Sequence, residues 1–308
     1  MRANRFSSRL SNALSIFEVS TLIIDGVPVD AFGCTDVGRV RSVNQDQFLI
    51  ASLHRSVEIQ STSIPVQEGQ RFAPGARALL LLVADGVGGG VGGEEASTWT
   101  LDTIVRYVAG SSQFFRQLGP EVEERFLNDL TLAVQWSHAA LKERTIETPE
   151  LAGMATTLTM ALIKWPRAFV IQVGDSRCYH LRTGELSQVT TDQTMARQLI
   201  EQGALPEEAA ERSPLSHVLS QSIGHQEPEV WPVITEVELQ SGDTLLLCTD
   251  GLMKHVSGPG IAELLGSTSS AREVASSLVG AALAGGGSDN VTVVATRFGH
   301  PSPEQAPA

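Results

Sequence analysis

Apolar residues come in short blocks along this chain, and the spacing within each block separates strands from helices. Residues 29–34 and 47–53 read as strands. A polar loop follows over about 54–75. Residues 78–84 form an unbroken apolar run that stops at Asp85-Gly86, the pattern of a strand buried on both faces. Beyond a glycine cluster, Ala96, Trp99, Ile104, Val105 and Val108 keep roughly helical spacing until Gly110. A second helix is expected over 120–144. Pro120 suits its first turn, Glu121, Glu123 and Glu124 complement its positive end, and Val122, Phe126, Leu130, Ala133, Ser137 and Leu141 share one face. Residues 156–163, 168–173 and 178–181 return to strand character. The turn signals Gly174-Asp175 and Thr183-Gly184 lie between and after them, so this part reads as an antiparallel meander.

Residues 192–224 break the pattern, with short helical pieces at 195–202 and 207–212. Strands at 230–239 and 244–248, helices at 260–265 and 271–283, and a strand at 291–298 complete the series. Helices come in pairs and do not alternate one-for-one with strands. That argues against Rossmann and TIM arrangements and for antiparallel sheets with helices packed outside, an α+β class. Residues 1–28 read as a leader, poorly ordered or partner-bound. The tail over 300–308, rich in proline, is expected to be disordered.

Composition narrows the function. With 42% apolar residues in 308, the chain can build a core. Its 35 acids against 22 Lys and Arg give a net charge of −13, the wrong balance for gripping nucleic acid. No apolar run approaches the roughly 20 residues of a bilayer span. Cys34, Cys178 and Cys248 are far apart and sit in apolar contexts. They suggest buried small hydrophobes in a reducing cytoplasm, not a disulfide framework or a zinc site.

The chemistry lies in the acids at strand ends. Asp85, Asp175 and Asp250 each follow an apolar strand; Asp46 and Asp289 each precede one. Any one of them could be an ordinary turn residue. Five on one rim of a core would set carboxylates side by side with little solvent, which is expensive unless cations neutralise them. An all-oxygen set without Cys or paired His selects hard ions, Mg²⁺ or Mn²⁺. The cluster from Asp85 to Glu95 is no phosphate loop, since no Lys-Ser or Lys-Thr follows its glycines. Those glycines instead let the backbone come close to a metal and expose the Gly86 carbonyl.

Six segments then fall in a recognisable order. Arg41-Ser42-Val43-Asn44-Gln45-Asp46 is similar to RxxNED. The stretch from Asp85-Gly86-Val87-Gly88-Gly89 to Gly93-Glu94-Glu95-Ala96-Ser97 is similar to DGMGGHxxGExAS. Gly153-Met154-Ala155-Thr156-Thr157 is similar to GMGTT, and Gly174-Asp175-Ser176-Arg177 is GDSR intact. Asp250-Gly251-Leu252 and Gly287-Ser288-Asp289-Asn290 match DGL and GSDN. The set resembles the PPM family of bacterial type, the metal-dependent protein phosphatase 2C class, over about residues 31–298.

The resemblance implies a four-layer α-β-β-α sandwich over 29–299, with two central, mainly antiparallel sheets flanked by helices and a variable flap near 193–222. It implies Mn²⁺ or Mg²⁺, two ions or three. Asp85, Gly86, Asp250 and Asp289 would be metal ligands, and Asp175 would share a third ion with Asp250. Asp46 would orient metal-bound water, and Arg41 would grip the phosphoryl oxygens. The implied activity is hydrolysis of phosphoserine and phosphothreonine in proteins by a hydroxide bridging two metals, opposing a serine/threonine kinase in signalling. The expected partners are phosphorylated Ser/Thr proteins, a kinase and its targets among them. The chain is expected to be a cytoplasmic monomer without nucleic-acid or membrane contacts. The alternative is a catalytically weak, phosphoprotein-binding regulatory module of the same fold. Departures from the pattern are Gln45 for Glu, Gly90 for His, Val87 where some relatives carry His, Gln193 in a DHS-like segment and Gln221 where Arg is common.

Overall fold

The alternation of side chains along each strand accounts for the layering. The computed structural model describes residues 22–54, 57–58, 71–72, 76–88, 91–110, 120–209, 213–225, 228–267 and 270–299. In chain order the elements are β1 (Leu22–Ile24), β2 (Val27–Asp36), β3 (Asp46–Leu53), β4 (Val57–Glu58), β5 (Arg71–Phe72), β6 (Ala78–Val87), α1 (Val91–Gly110) and α2 (Pro120–Glu147). There follow β7 (Ala155–Thr156), β8 (Leu158–Lys164), β9 (Arg167–Val173), β10 (Arg177–Arg182), β11 (Glu185–Gln188), α3 (Met195–Glu201), β12 (Val233–Glu238) and β13 (Thr244–Cys248). The chain closes with α4 (Asp250–Met253), α5 (Gly258–Ser267), α6 (Ala271–Ala284) and β14 (Val291–Phe298).

One sheet has the order β1-β2-β14-β13-β10-β11; the other runs β12-β9-β8-β6-β3, with β7 paired to β6. The strand pairs within both sheets are antiparallel. On β6, Leu79, Leu81 and Val83 face the gap between the sheets, while Ala78, Leu80, Leu82 and Ala84 pack with α1 and α2. The same division on β13 sends Leu245 and Leu247 inward and Leu246 and Cys248 toward α5 and α6. The result is four layers, α-β-β-α, and it explains why these strands read as continuous apolar runs. Helix α6 starts where Ser270 accepts from the Glu273 amide (3.2 Å) and Asp30 accepts from the Ala271 amide (2.7 Å), so two otherwise orphaned donors are satisfied.

Some elements differ from the pattern. Leu22–Ile24 and the start of β2 fall in the stretch read as leader, yet they form a hairpin that pairs Leu22 with Val29 and buries Ile24. A two-residue Asp25-Gly26 turn, with positive φ at both positions, closes it. The strand expected from 230 begins at Val233, because Pro232 has no amide to offer a ladder. The helix expected at 207–212 is a single tight turn, Glu207–Ala209, in the described part. Helix α4 was not expected, and α5 is longer than 260–265. Residues 1–21 and 300–308, and with them most of the expected leader and tail, lie outside the described residues. No described helix is long and apolar enough to cross a membrane.

Leu81 is fully buried between the sheets. Leu81→Ala should lower stability by about 3 kcal/mol, read as a fall in the urea midpoint with an unchanged slope.

Candidate active site at one end of the sandwich

Strands of both sheets end on one edge, and that edge collects the acids. Register places Asp46, the first residue of β3, directly opposite Asp85 near the end of β6. The Asp85 backbone is clamped by the threonines beside it. The Thr157 amide and the Thr156 hydroxyl both donate to the Asp85 carbonyl (2.9 Å each), and the Asp85 amide donates to the Thr157 hydroxyl (3.0 Å). From the other sheet, the Thr249 hydroxyl donates to Asp46 Oδ2 (2.7 Å) and accepts from the Thr292 amide (3.0 Å), so the sheets are stitched together at the acids.

Asn290 holds the loop that carries Arg41 and Asp46. Its amide group donates to the Val37 and Val43 carbonyls (2.9 Å each), and its Oδ1 accepts from the Gln45 amide (2.9 Å). Two glycines permit the close approach of backbones. A Cβ on Gly86 would lie 2.2 Å from the Gly93 carbonyl oxygen, and one on Gly251 would lie 1.9 Å from that of Asn290. In both cases the obstacle is main chain and cannot give way. Gln45, in place of the motif Glu, donates to the Gly88 carbonyl (3.3 Å), and Gln193 accepts from the Gly174 amide (2.7 Å), bracing the turn before Asp175.

The acids share one electrostatic space. Burial, followed by the charges of Asp46, Asp250, Asp175 and Asp289, pushes Asp85 well above the ordinary carboxyl range. Burial raises Asp46 to about 7, opposed by the Thr249 hydroxyl; burial and then Asp250 raise Asp175 to about 7. Asp46 Oδ1 and Asp250 Oδ1 are buried with no hydrogen-bond partner. Asp289 differs: burial works against its charge, but Lys254 and Arg41 hold it below the ordinary range. Arg41 Nε lies 2.7 Å from Asp289 Oδ1. Lys254 Nζ lies 2.6 Å from Asp250 Oδ2 and 2.7 Å from Asp289 Oδ2.

The structure therefore gathers Asp46, Asp85, Asp175, Asp250, Asp289, Gly86 and Arg41 at one end, with two cations lying against the carboxylates of Asp250 and Asp289. Among the described residues, no three acids, His or Cys already close on a common point as a finished metal cage. The donor set nevertheless fits hard divalent ions, being all oxygen, over-rich in negative charge and in possession of two orphaned buried carboxylate oxygens. Lys254 joins the site without belonging to any of the sequence motifs; its position four residues after Asp250, at the C-cap of α4, is the signal that points to it.

Beside the acids lies a cavity of about 680 Å³, with Asp175, Asp250 and Lys254 on one wall and Arg177, Arg197 and His217 among the others. Arg177 is locked to Asp192 through Nε (2.8 Å) and Nη2 (2.6 Å). Segment 193–222 borders this cavity through Thr194, Arg197 and His217.

A two-sheet sandwich with strand-end carboxylates on one rim defines the class, and the comparisons with known proteins give the family. The model of protein phosphatase 2C matches residues 65–283. Serine/threonine protein phosphatase PstP of Mycobacterium tuberculosis is 39% identical over 220 residues, which take in 71% of this chain and 40% of that longer protein. Protein phosphatase PhpP of Streptococcus pneumoniae is 31% identical over 260 residues, 84% of this chain and 93% of PhpP. The crystal structure of the PstP catalytic domain in complex with two manganese ions superposes with a TM-score of 0.66 at 32% identity, covering 88% of this chain and 98% of that one. The chain belongs to the protein phosphatase 2C family.

Asp175 carries a measurable burden when no metal is present. Its folded pKa near 7 lies above the unfolded value of about 3.9. The folded state thus binds the extra proton, and stability falls as pH rises from about 4 to 7. In chelator, Asp175→Asn should melt several degrees above the parent at pH 8 and level with it near pH 4. Equal melting at pH 8 in differential scanning calorimetry would show that Asp175 bears no such strain.

Proposed function

We propose that this protein is a divalent-metal-dependent phosphatase that hydrolyses phosphoserine and phosphothreonine monoesters in proteins. The observation that carries the proposal is the convergence of five aspartates from both sheets onto one rim, in a chain of this family. Asp85, the Gly86 carbonyl, Asp250 and Asp289 would hold two Mn²⁺ or Mg²⁺ ions, and Asp175 with Asp250 a third. Bound there, the ions lower the pKa of water and offset the charge that builds on the phosphoryl group.

Asp46 keeps Oδ1 free while Thr249 fixes Oδ2, so it can accept a hydrogen bond from the attacking water and orient it. Arg41 stands on the rim with its side chain 54% exposed, and its planar fork suits two phosphoryl oxygens once it leaves Asp289. A new bond forms from water oxygen to phosphorus as the ester P–O bond breaks. The Ser or Thr oxygen leaves with a proton from solvent, and inorganic phosphate is released.

Cysteine-based catalysis is disfavoured. Cys34, Cys178 and Cys248 are buried, and burial raises the thiol pKa to about 11 for Cys34 and about 12 for Cys248, and raises that of Cys178 as well. The names of PstP and PhpP support phosphoprotein substrates, and a kinase acting on the same proteins is part of this reading. The cavity beside Asp175, bordered by the 193–222 flap, offers space for the residues flanking the phosphorylated one.

With Mn²⁺ the protein should hydrolyse a phosphothreonine peptide, and chelator should stop it. Asp85→Asn and Asp250→Asn should each fold, with the parent's circular-dichroism spectrum, while turnover drops to below about a hundredth of the parent's. Parental turnover in either variant refutes the assignment. Arg41→Ala should raise KM about tenfold and leave kcat within a few-fold. An unchanged kcat/KM rules out a phosphate-gripping role for Arg41.

A further inference from the structure

Lys254 makes two contacts that a simple helix salt bridge does not explain. Its backbone amide donates to the Asp250 carbonyl (3.0 Å), so the turn of α4 fixes where its side chain begins. Pairing with Asp250, four residues earlier, is the ordinary helical partnership. The same ammonium also reaches Asp289, 35 positions further on in a different loop. It thus bridges two carboxylates that come from the two ends of an α-helical excursion and that are both assigned to the metal. Arg41 touches Asp289 alone of that pair, so among the contacts described Lys254 is the cation that joins them.

The side chain is 27% exposed and borders the 680 Å³ cavity together with Asp175 and Ser257. The cavity that Lys254 lines would receive its side chain if it left the carboxylates. An ammonium 2.6–2.7 Å from both carboxylates fills the coordination space in which a divalent ion would have to bind.

We propose that Lys254 is a built-in competing cation, which holds Asp250 and Asp289 together before metal arrives and sets the affinity of the ion that displaces it. The inference rests on the metal-dependent reading above. Its chemistry is an exchange of partners: the ammonium would give up two charge-assisted hydrogen bonds, leaving Asp250 and Asp289 to hold a divalent ion. The neighbouring positive charge opposes the incoming ion throughout. Lys254 is therefore a positioning residue for the site and a regulator of its metal demand.

The experiment is calorimetric titration of Mn²⁺ into the chelator-treated full chain, with melting curves of the metal-free and Mn²⁺-saturated forms. Lys254→Met keeps the length without the charge, Lys254→Gln guards against a folding failure of the first variant, and Lys254→Arg keeps the charge. The neutral variants should bind Mn²⁺ tighter by about tenfold or more, melt lower than the parent without metal, and recover when saturated. Lys254→Arg should stay close to the parent in affinity. Neutral variants with the parent's affinity, alongside intact Mn²⁺ binding and phosphopeptide turnover, overturn the role of Lys254 and leave the phosphatase reading standing. Failure of every form to bind Mn²⁺, with no turnover in the parent, overturns both.

Discussion

Carboxylates crowded at the end of an apolar sandwich repel one another, and the site is organised around that repulsion. Asp85 feels the charges of Asp46, Asp250, Asp175 and Asp289 on top of its own burial. Left to themselves these side chains would separate or take up protons. They stay because the frame beneath them is rigid and because cations are supplied. Lys254 and Arg41 provide two positive charges from the chain itself, both lying against the Asp289 end of the cluster. Asp46, Asp85 and Asp175, further from those charges, remain the strained members. The site therefore has an uneven charge balance, which divalent ions at the proposed positions would restore.

The frame is strong because it is doubly covered. Strand β6 buries both faces, one against the opposing sheet and one against α1 and α2, so its end cannot drift without disturbing two cores. Asp85 sits at that end, its backbone held by Thr156 and Thr157. The hydroxyl of Thr249 and the amide group of Asn290 tie the opposite sheet to the loop of Arg41 and Asp46. The polar residues of the motifs thus do two jobs: the aspartates supply charge, and the threonines and Asn290 keep that charge in place. Gly86 and Gly251 belong to the second group, because each lets one main chain lie against another where any side chain would collide.

Much of this could be read before any coordinates. The both-faces burial of β6 followed from its unbroken apolar run, and the pairing of helices pointed to sheets inside and helices outside. The acids could be picked out because each stands where an apolar strand begins or ends. Less was legible where local sequence is ambiguous. The β1–β2 hairpin was hidden in a stretch with little period, and its strands gain their burial only by joining the edge of a larger sheet. Pro232 moved the start of β12 through a missing donor, a signal the sequence did contain. Lys254 is not marked out as a bridge by the sequence, because its spacing names only one of its two partners, Asp250, and not Asp289.

The sequence by itself determined which residues are apolar, where the runs break, and that acids stand at those breaks; these are local properties, set by side-chain type and chain order. Only the tertiary structure decided that Asp46 lies opposite Asp85, and that Lys254 reaches from α4 to an aspartate 35 residues away. The physical reason is that register and sheet packing bring distant segments together through burial shared among many residues, and no short stretch of sequence encodes that sum.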